Sequence, residues 1–323
     1  MNFSKEIIKF GDVPAICDKL QSQIKEHIFT SLRRRGGVIG ISGGIDSSVT
    51  LALTARAIGA DKVLGILLPE KDSSSDSARL AHILAGKFGV KTITEDITGA
   101  LEGFGCYRRR DEAVAKVFPH YNPETFKMKI GARQSGLSTG LPPVFQLTIV
   151  NPDGKEESKM LPAAEFGQIV AASNFKQRSR MSMLYYHAER LYYAVVGTPN
   201  KHEIEQGFFV KHGDGGADLM PIGQLYKSQV YQLAEYLGIP KEIIERTPTS
   251  DTYTAEQTQE EFFFQMPFHQ MDLLWYGFVN KVPANEVAPV MGMTEDAVNK
   301  IFENFTRKQH TTDYLRKAPI QFI

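Results

Sequence analysis

Between residues 37 and 95 the chain alternates short apolar runs with amphipathic stretches, a rhythm open to few folds. Gly37-Val38-Ile39-Gly40-Ile41 has the pattern of a buried strand, and Val49 to Ala55 follows at helical spacing. Lys62 to Leu68 predicts a second strand, about Ser75 to Phe88 a second helix, and Val90 to Glu95 a third strand. Strand, helix, strand, helix, strand in this order predicts an α/β fold, a doubly wound parallel sheet flanked by helices. Ligands of such sheets bind beyond the carboxyl ends of the strands.

The first connection at that edge is Ser42-Gly43-Gly44-Ile45-Asp46-Ser47-Ser48. Two adjacent glycines let the backbone turn tightly and aim several N–H groups at one point. The serine hydroxyls add donors, and the N-terminus of the following helix adds partial positive charge. Together they predict a cradle for a phosphate or pyrophosphate. No Lys follows the glycines, as a P-loop requires, and the GxGxxG spacing of a dinucleotide loop is absent. Asp46 sets a carboxylate beside the phosphates, an arrangement that makes sense mainly if it holds Mg²⁺.

Elsewhere the pattern is coarser. Residues from about 5 to 34 have helical spacing and stop at Arg33-Arg34-Arg35-Gly36-Gly37. The stretch from about 104 to 162 breaks the alternation, with a Gly/Ser/Pro-rich run and an apolar segment ahead of Asn151-Pro152-Asp153-Gly154. That tetrapeptide is a turn signal, so a small hairpin is expected inside an insertion or flap. A long helix over about 163 to 190, a strand at Tyr192 to Val196 and helices at about 224 to 237 and 240 to 246 resume the pattern. A helical tail runs from about 260 to 323, and the whole chain is expected to form one domain.

Composition removes several function classes. The 37 basic and 37 acidic residues cancel, which argues against a protein built to coat nucleic acid or an anionic membrane. Two cysteines without a CxxC pattern, and eight histidines without HExxH, leave no zinc or disulfide framework in view. No apolar run approaches a membrane span, and Met-Asn-Phe-Ser-Lys-Glu lacks a leader pattern, so the expected compartment is the reducing cytoplasm.

The SGGxDS loop resembles the pyrophosphate loop of the ATP pyrophosphatases, a superfamily that includes NAD, GMP, asparagine and argininosuccinate synthetases. The second half of the chain narrows the resemblance. Asn174-Phe175-Lys176-Gln177-Arg178-Ser179-Arg180-Met181 is similar to the N-x-x-x-R-x-R-M helix of NAD synthetases. Val196 to Glu203 is similar to their G-T-x-N-K-x-E segment, and Gly207 to Asp218 to their G-[FY]-x-[ST]-K-x-G-D-x-x-x-D loop. Pro221 to Lys227 and Pro248-Thr249-Ser250-Asp251 follow in the family's order.

The resemblance implies an ammonia-dependent ligase that adenylates nicotinic acid adenine dinucleotide (deamido-NAD) with ATP and then amidates it to NAD. It implies that Gly40, Ile41, Ser42, Gly43, Gly44, Ile45, Asp46, Ser47, Thr198, Lys227 and Thr249 contact ATP. Asp46 and Glu203 would hold Mg²⁺, and Lys227 would meet the developing pyrophosphate. Arg178, Lys211, Asp218 and Arg316 would bind deamido-NAD, and Asp214 would border the ammonia site. A homodimer is implied as well. Taken singly, Lys227 is equally a surface lysine, Glu203 a local partner of Lys201 or His202, and one of Arg178 and Arg180 a solvated side chain. Two other functions stay open: a ligase of the same superfamily acting on another carboxylate, and a nucleotide-binding relative without activity.

The chain departs from the family at Gln257-Thr258-Gln259-Glu260-Glu261-Phe262-Phe263-Phe264, where a later glycine is missing, and in the length of the 104–162 insertion. At the C-terminal end Leu315-Arg316-Lys317 is the nearest match to the family's closing basic pair. Only 36 residues precede the first strand, too few for a fused amidase, so ammonia is expected free or from a separate glutamine amidase.

Overall fold

The computed structural model describes residues 2–132, 144–247, 253–255, 257–258 and 263–322. Its central sheet is parallel and has four strands in the order β3-β2-β1-β7: β1 Gly37–Gly40, β2 Val63–Leu67, β3 Lys91–Thr94 and β7 Ala194–Val195. β1 pairs with β2 on one side (Val38 opposite Leu64) and with β7 on the other (Val38 opposite Val195). The chain therefore changes direction across the sheet between β1 and β7. The loops leaving those two strands diverge and open a crevice.

Helices cover both faces, as an all-parallel sheet requires. On one face lie α1 Val13–Glu26, α2 Ile45–Ile58, α3 Ser75–Phe88 and α8 Lys227–Leu237, joined by a core that includes Ile39, Leu51, Leu53 and Val230. The other face packs α4 Thr98–Gly103, α5 Cys106–Val117 and the long α6 Ala163–Leu191 through Val38, Ile66, Leu101 and Leu184. The opening helix is shorter than its periodicity suggested. Asp12 accepts the Ala15 N–H as an N-cap and Pro14 follows in the first turn, so α1 begins there.

The break in the alternation begins after α4 and holds α5 and a three-stranded antiparallel sheet: β4 Lys127–Ala132, β5 Phe145–Val150 and β6 Glu156–Met160. β5 and β6 form the expected hairpin, closed where Gly154 N–H donates to Asn151 O (2.9 Å). The sheet has its own core of Met128, Ile130, Leu147 and Ile149 against Val114, Phe118 and Ile169. Helices α7 Lys201–Gln206 and α9 Lys241–Ile244 border the crevice and α8, and α10 Phe268–Val279, α11 Ala284–Met291 and α12 Glu295–Arg316 build the tail around Trp275, Leu274 and Phe305. No helix among the described residues is long and apolar enough to cross a membrane.

Candidate active site

A cavity of about 530 Å³ opens at the switch point. Its lining includes Gly40 to Ser42 and Gly44 to Ser47 from the β1–α2 connection, Thr198 and Pro199 after β7, and Glu203 of α7. The loop is internally braced: Ser47 Oγ donates to Gly44 O (2.9 Å), Ser48 Oγ does the same (2.8 Å), and Gly44 N–H reaches Ser42 Oγ (3.3 Å). Gly43 has φ +72°, and a Cβ there would stand 2.7 Å from Ser77 O and 2.9 Å from Leu80 Cβ. Only glycine fits that left-handed, crowded position. Gly44 caps α2 without a side chain, so the first amides of the helix face the crevice unobstructed.

Asp46, in the first turn of α2, is held from two sides. The Lys227 ammonium pairs with Asp46 Oδ2, and Asn200 Nδ2 donates to Asp46 Oδ1 (3.2 Å). Asn200 also caps α7: its side-chain oxygen accepts the His202 and Glu203 N–H groups, and its own N–H donates to Glu203 Oε2 (2.9 Å). One buried asparagine thus fixes both carboxylates. Sequence reading left Asn200 inside a motif without a role, and its place at a helix start, three residues before Glu203, is the capping-box signal that marks it.

Lys227 is fully buried at the first residue of α8, which settles the alternative of a surface lysine. Asp272 of α10 secures that helix end by accepting the Lys227 and Ser228 N–H groups (3.2 and 2.8 Å), and His202 Nε2 meets Asp272 Oδ1 at 2.5 Å. Burial works to lower the Lys227 pKa, but the Asp46 and Glu203 carboxylates outweigh it and hold the ammonium charged above the usual lysine range. Glu203 is pushed up to about 8, first by burial and then by the Asp46 charge. Its partner is the Asn200 amide rather than Lys201, which pairs with Glu205 (2.7 Å).

Asp214 also lines the cavity, and burial drives its carboxyl up to about 6 although it accepts the Val210 N–H (2.8 Å). The two arginines of α6 separate as their spacing requires. Arg180 lines the cavity and donates to Leu68 O (3.2 Å), whereas Arg178 is exposed and donates to Lys211 O (3.2 Å). Three further candidates stand outside the lining. The Lys211 ammonium binds the Tyr314 and Lys317 carbonyls (3.0 and 2.8 Å), and Arg316 binds the Ile204 and Glu205 carbonyls (3.3 Å each). Asp218 accepts the Val195 N–H (2.8 Å) and the Tyr185 hydroxyl (3.0 Å). Thr249 lies outside the described residues.

Lys176, which lines the cavity, belongs to a buried ionic cluster. Lys176 Nζ sits 2.8 Å from both Glu70 Oε1 and Asp72 Oδ2, Arg110 bonds Asp72 (2.5 Å) and Asp111 (2.8 Å), and the Tyr107 hydroxyl donates to Glu70 (2.7 Å). Burial alone would raise the Asp72 carboxyl, but Lys176 and Arg110 hold it below the usual carboxylate range. The cluster joins the loop after β2 to α5 and α6. Lys176 lies in the motif that carries Arg178 and Arg180, yet a buried lysine cannot be told from a solvated one by spacing.

The NAD synthase family matches residues 13–120 and 148–314. An NH(3)-dependent NAD(+) synthetase from Mesorhizobium japonicum is 48% identical over 309 residues, 96% of either chain. One from Rhizobium meliloti is 44% identical over 318 residues, 98% of this chain and 94% of the relative. Among solved structures, an NH3-dependent NAD synthetase from Campylobacter jejuni superimposes with TM-score 0.63 at 20% identity, covering 97% of this chain and 100% of that one. An NMN synthetase from Francisella tularensis gives 0.64 at 22% identity, covering 97% and 99%. These structures share the fold of this chain.

Proposed function

This chain belongs to the NAD synthase family, and we infer that it is an ammonia-dependent ligase converting deamido-NAD to NAD at the expense of ATP. The observation that carries this reading is the meeting of the glycine loop, Asp46 and Glu203 in one crevice, with buried Lys227 paired to Asp46. The relatives named for that activity match nearly the whole chain.

A carboxylate resists attack by ammonia, so its oxygen must first become a leaving group. One carboxylate oxygen of deamido-NAD attacks the α-phosphorus of ATP and pyrophosphate departs. Ammonia then attacks the acyl carbon, and AMP leaves with that oxygen. The amides of the loop and of the start of α2 receive phosphate oxygens, with Ser42, Ser47 and Thr198 adding hydroxyl donors. Lys227 faces the charge that grows on the departing pyrophosphate, at a fixed position that needs no reorganisation. Asp214, with its raised pKa, is assigned to take the proton that the attacking ammonia must lose.

Asp46 and Glu203 fit a magnesium ion. Two tethered carboxylates, one of them driven toward protonation by burial and then by the charge of the other, form a donor set that a cation would relieve. No group of three or more His, Cys, Asp or Glu suited to a metal occurs among the described residues, so phosphate oxygens would complete the shell, as is usual for Mg²⁺. Bound there, the ion would neutralise charge on both carboxylates and the phosphates.

Arg178, Lys211, Asp218 and Arg316 are assigned to the part of deamido-NAD that leaves the cavity, next to a second copy of the chain in a homodimer, and Thr249 to ATP. The sheet, the inserted strands and the helical tail act as one domain, 1–323. The enzyme works in the cytoplasm on free ammonia or ammonia delivered by a separate amidase. The test is NAD formation from ATP, Mg²⁺ and deamido-NAD with ammonium or with glutamine, and nicotinic acid mononucleotide as a competing acid. NAD made with ammonium alone agrees with this reading. Amidation of the mononucleotide only, or turnover with glutamine alone, contradicts it.

A further inference from the structure

One apolar wall of the cavity is built by α6, with one residue added by the inserted sheet. Phe145, at the start of β5, and Phe166, in the first turn of α6, both line the cavity and stack with ring centroids 4.3 Å apart at 24°. Val170 continues the same face of α6 one turn on, and Tyr253 closes it beside Ser173. Both phenylalanine rings are half-buried, so part of each remains open to the cavity. Residues 121–147, which carry β4 and Phe145, lie between the two segments of the family match.

The wall is fastened rather than loose. Leu161 N–H donates to Phe145 O (2.9 Å), and Met128 of β4 exchanges hydrogen bonds with Thr254 and Ala255 (2.7 and 3.0 Å). Arg110 of α5 ties the insertion to Asp72 in the loop whose Pro69, Ser73 and Ser74 line the cavity opposite. The phosphate cradle and this apolar wall belong to one cavity. An anion site joined to a fixed aromatic face has the chemistry of a nucleotide, with phosphate at one end and a flat heteroaromatic ring at the other.

We propose that Phe145, backed by Phe166, is a ring-stacking contact for the base of a bound nucleotide, supplied by the inserted sheet. The proposal rests on the reading of this crevice as a nucleotide site. The ring belongs to ATP or to deamido-NAD, and separate titrations distinguish the two.

The test measures binding of Mg–ATP and of deamido-NAD by calorimetry, without ammonium and so without turnover, in the full chain and in Phe145→Leu and Phe145→Tyr. Leucine keeps apolar volume in the wall and removes the ring face. Phe145→Leu is expected to weaken one of the two nucleotides about tenfold, while Phe145→Tyr binds it as the unaltered protein does. Unchanged binding of both nucleotides to Phe145→Leu overturns the proposal. So does equal weakening of both together with a lowered melting temperature, because that marks a structural role. A protein that binds both nucleotides but makes no NAD refutes the assigned reaction and leaves this contact to the titrations.

Discussion

Lys227, at the first residue of α8, drives its buried ammonium onto Asp46 of α2, 181 positions earlier in the chain. Asp46 has a second tether in Asn200, so the carboxylate is fixed before any nucleotide arrives. Lys227→Met is expected to slow pyrophosphate release in a single turnover by on the order of 10²-fold or more, with deamido-NAD binding weakened much less. A single-turnover rate within a few-fold of the unaltered enzyme contradicts the role given to this lysine.

Glu203 is held partly protonated by burial and by Asp46, and a divalent cation would reverse that. Glu203→Gln removes one anionic ligand and is expected to raise the Mg²⁺ concentration for half-maximal activity by roughly tenfold, since Mg²⁺ relies on one or two carboxylates. A magnesium titration of initial rates reads the shift directly.

The two loop glycines should not be equivalent. Gly43→Ala places a Cβ 2.7 Å from a backbone oxygen at φ +72°, whereas at Gly44 a Cβ meets only Ser42 Oγ at 3.3 Å. The first substitution is expected to cost about 1–3 kcal/mol and to abolish tight ATP binding. The second should leave the melting temperature nearly unchanged. Thermal melts and ATP titration of both variants check the contrast.

Lys308 of α12 is half-buried against Phe263, with Gln206 Oε1 at 3.3 Å and Phe263 O at 3.1 Å, and it pairs with no carboxylate among the described residues. Burial lowers its pKa to about 7. The unfolded chain then binds more protons than the folded one between about 7 and the ordinary lysine value of about 10.4. Stability is therefore expected to rise with pH above about 7, by up to ~1.4 kcal/mol per pH unit, the linkage limit for one proton. Lys308→Met should be more stable at pH 7 and lose that rise, as melts between pH 7 and 9 would record.

The sequence was most legible where structure is local. Ser75 and Phe88 are the ends of α3 as periodicity placed them, and the glycine pair marked a turn whose first position, Gly43, only glycine fits. Asp46 and Lys227 were named separately, but no spacing reveals that residues so distant share an ion pair. Asn200 and Lys176 lie inside the family motifs, but nothing in the sequence shows them buried, because burial is decided by what packs above them. β4 had a readable alternation in Lys127-Met128-Lys129-Ile130, masked by the Gly/Ser/Pro-rich run that follows it. β6 had none: every residue from Glu156 to Met160 is exposed, and only its hydrogen bonds to β5 make it a strand. Lys211 and Arg316, read as substrate contacts, also satisfy carbonyls that join the tail to the rest of the chain, which no motif spacing reveals.

The central claim, that this crevice adenylates a carboxylate before amidating it, is tested most directly with deamido-NAD labelled with ¹⁸O in both carboxylate oxygens. Turnover with ATP and ammonium is expected to yield AMP carrying one ¹⁸O and NAD carrying the other in its amide. Label in orthophosphate, with ADP as the nucleotide product, would mean that the carboxylate attacks the γ-phosphorus instead and would contradict the account.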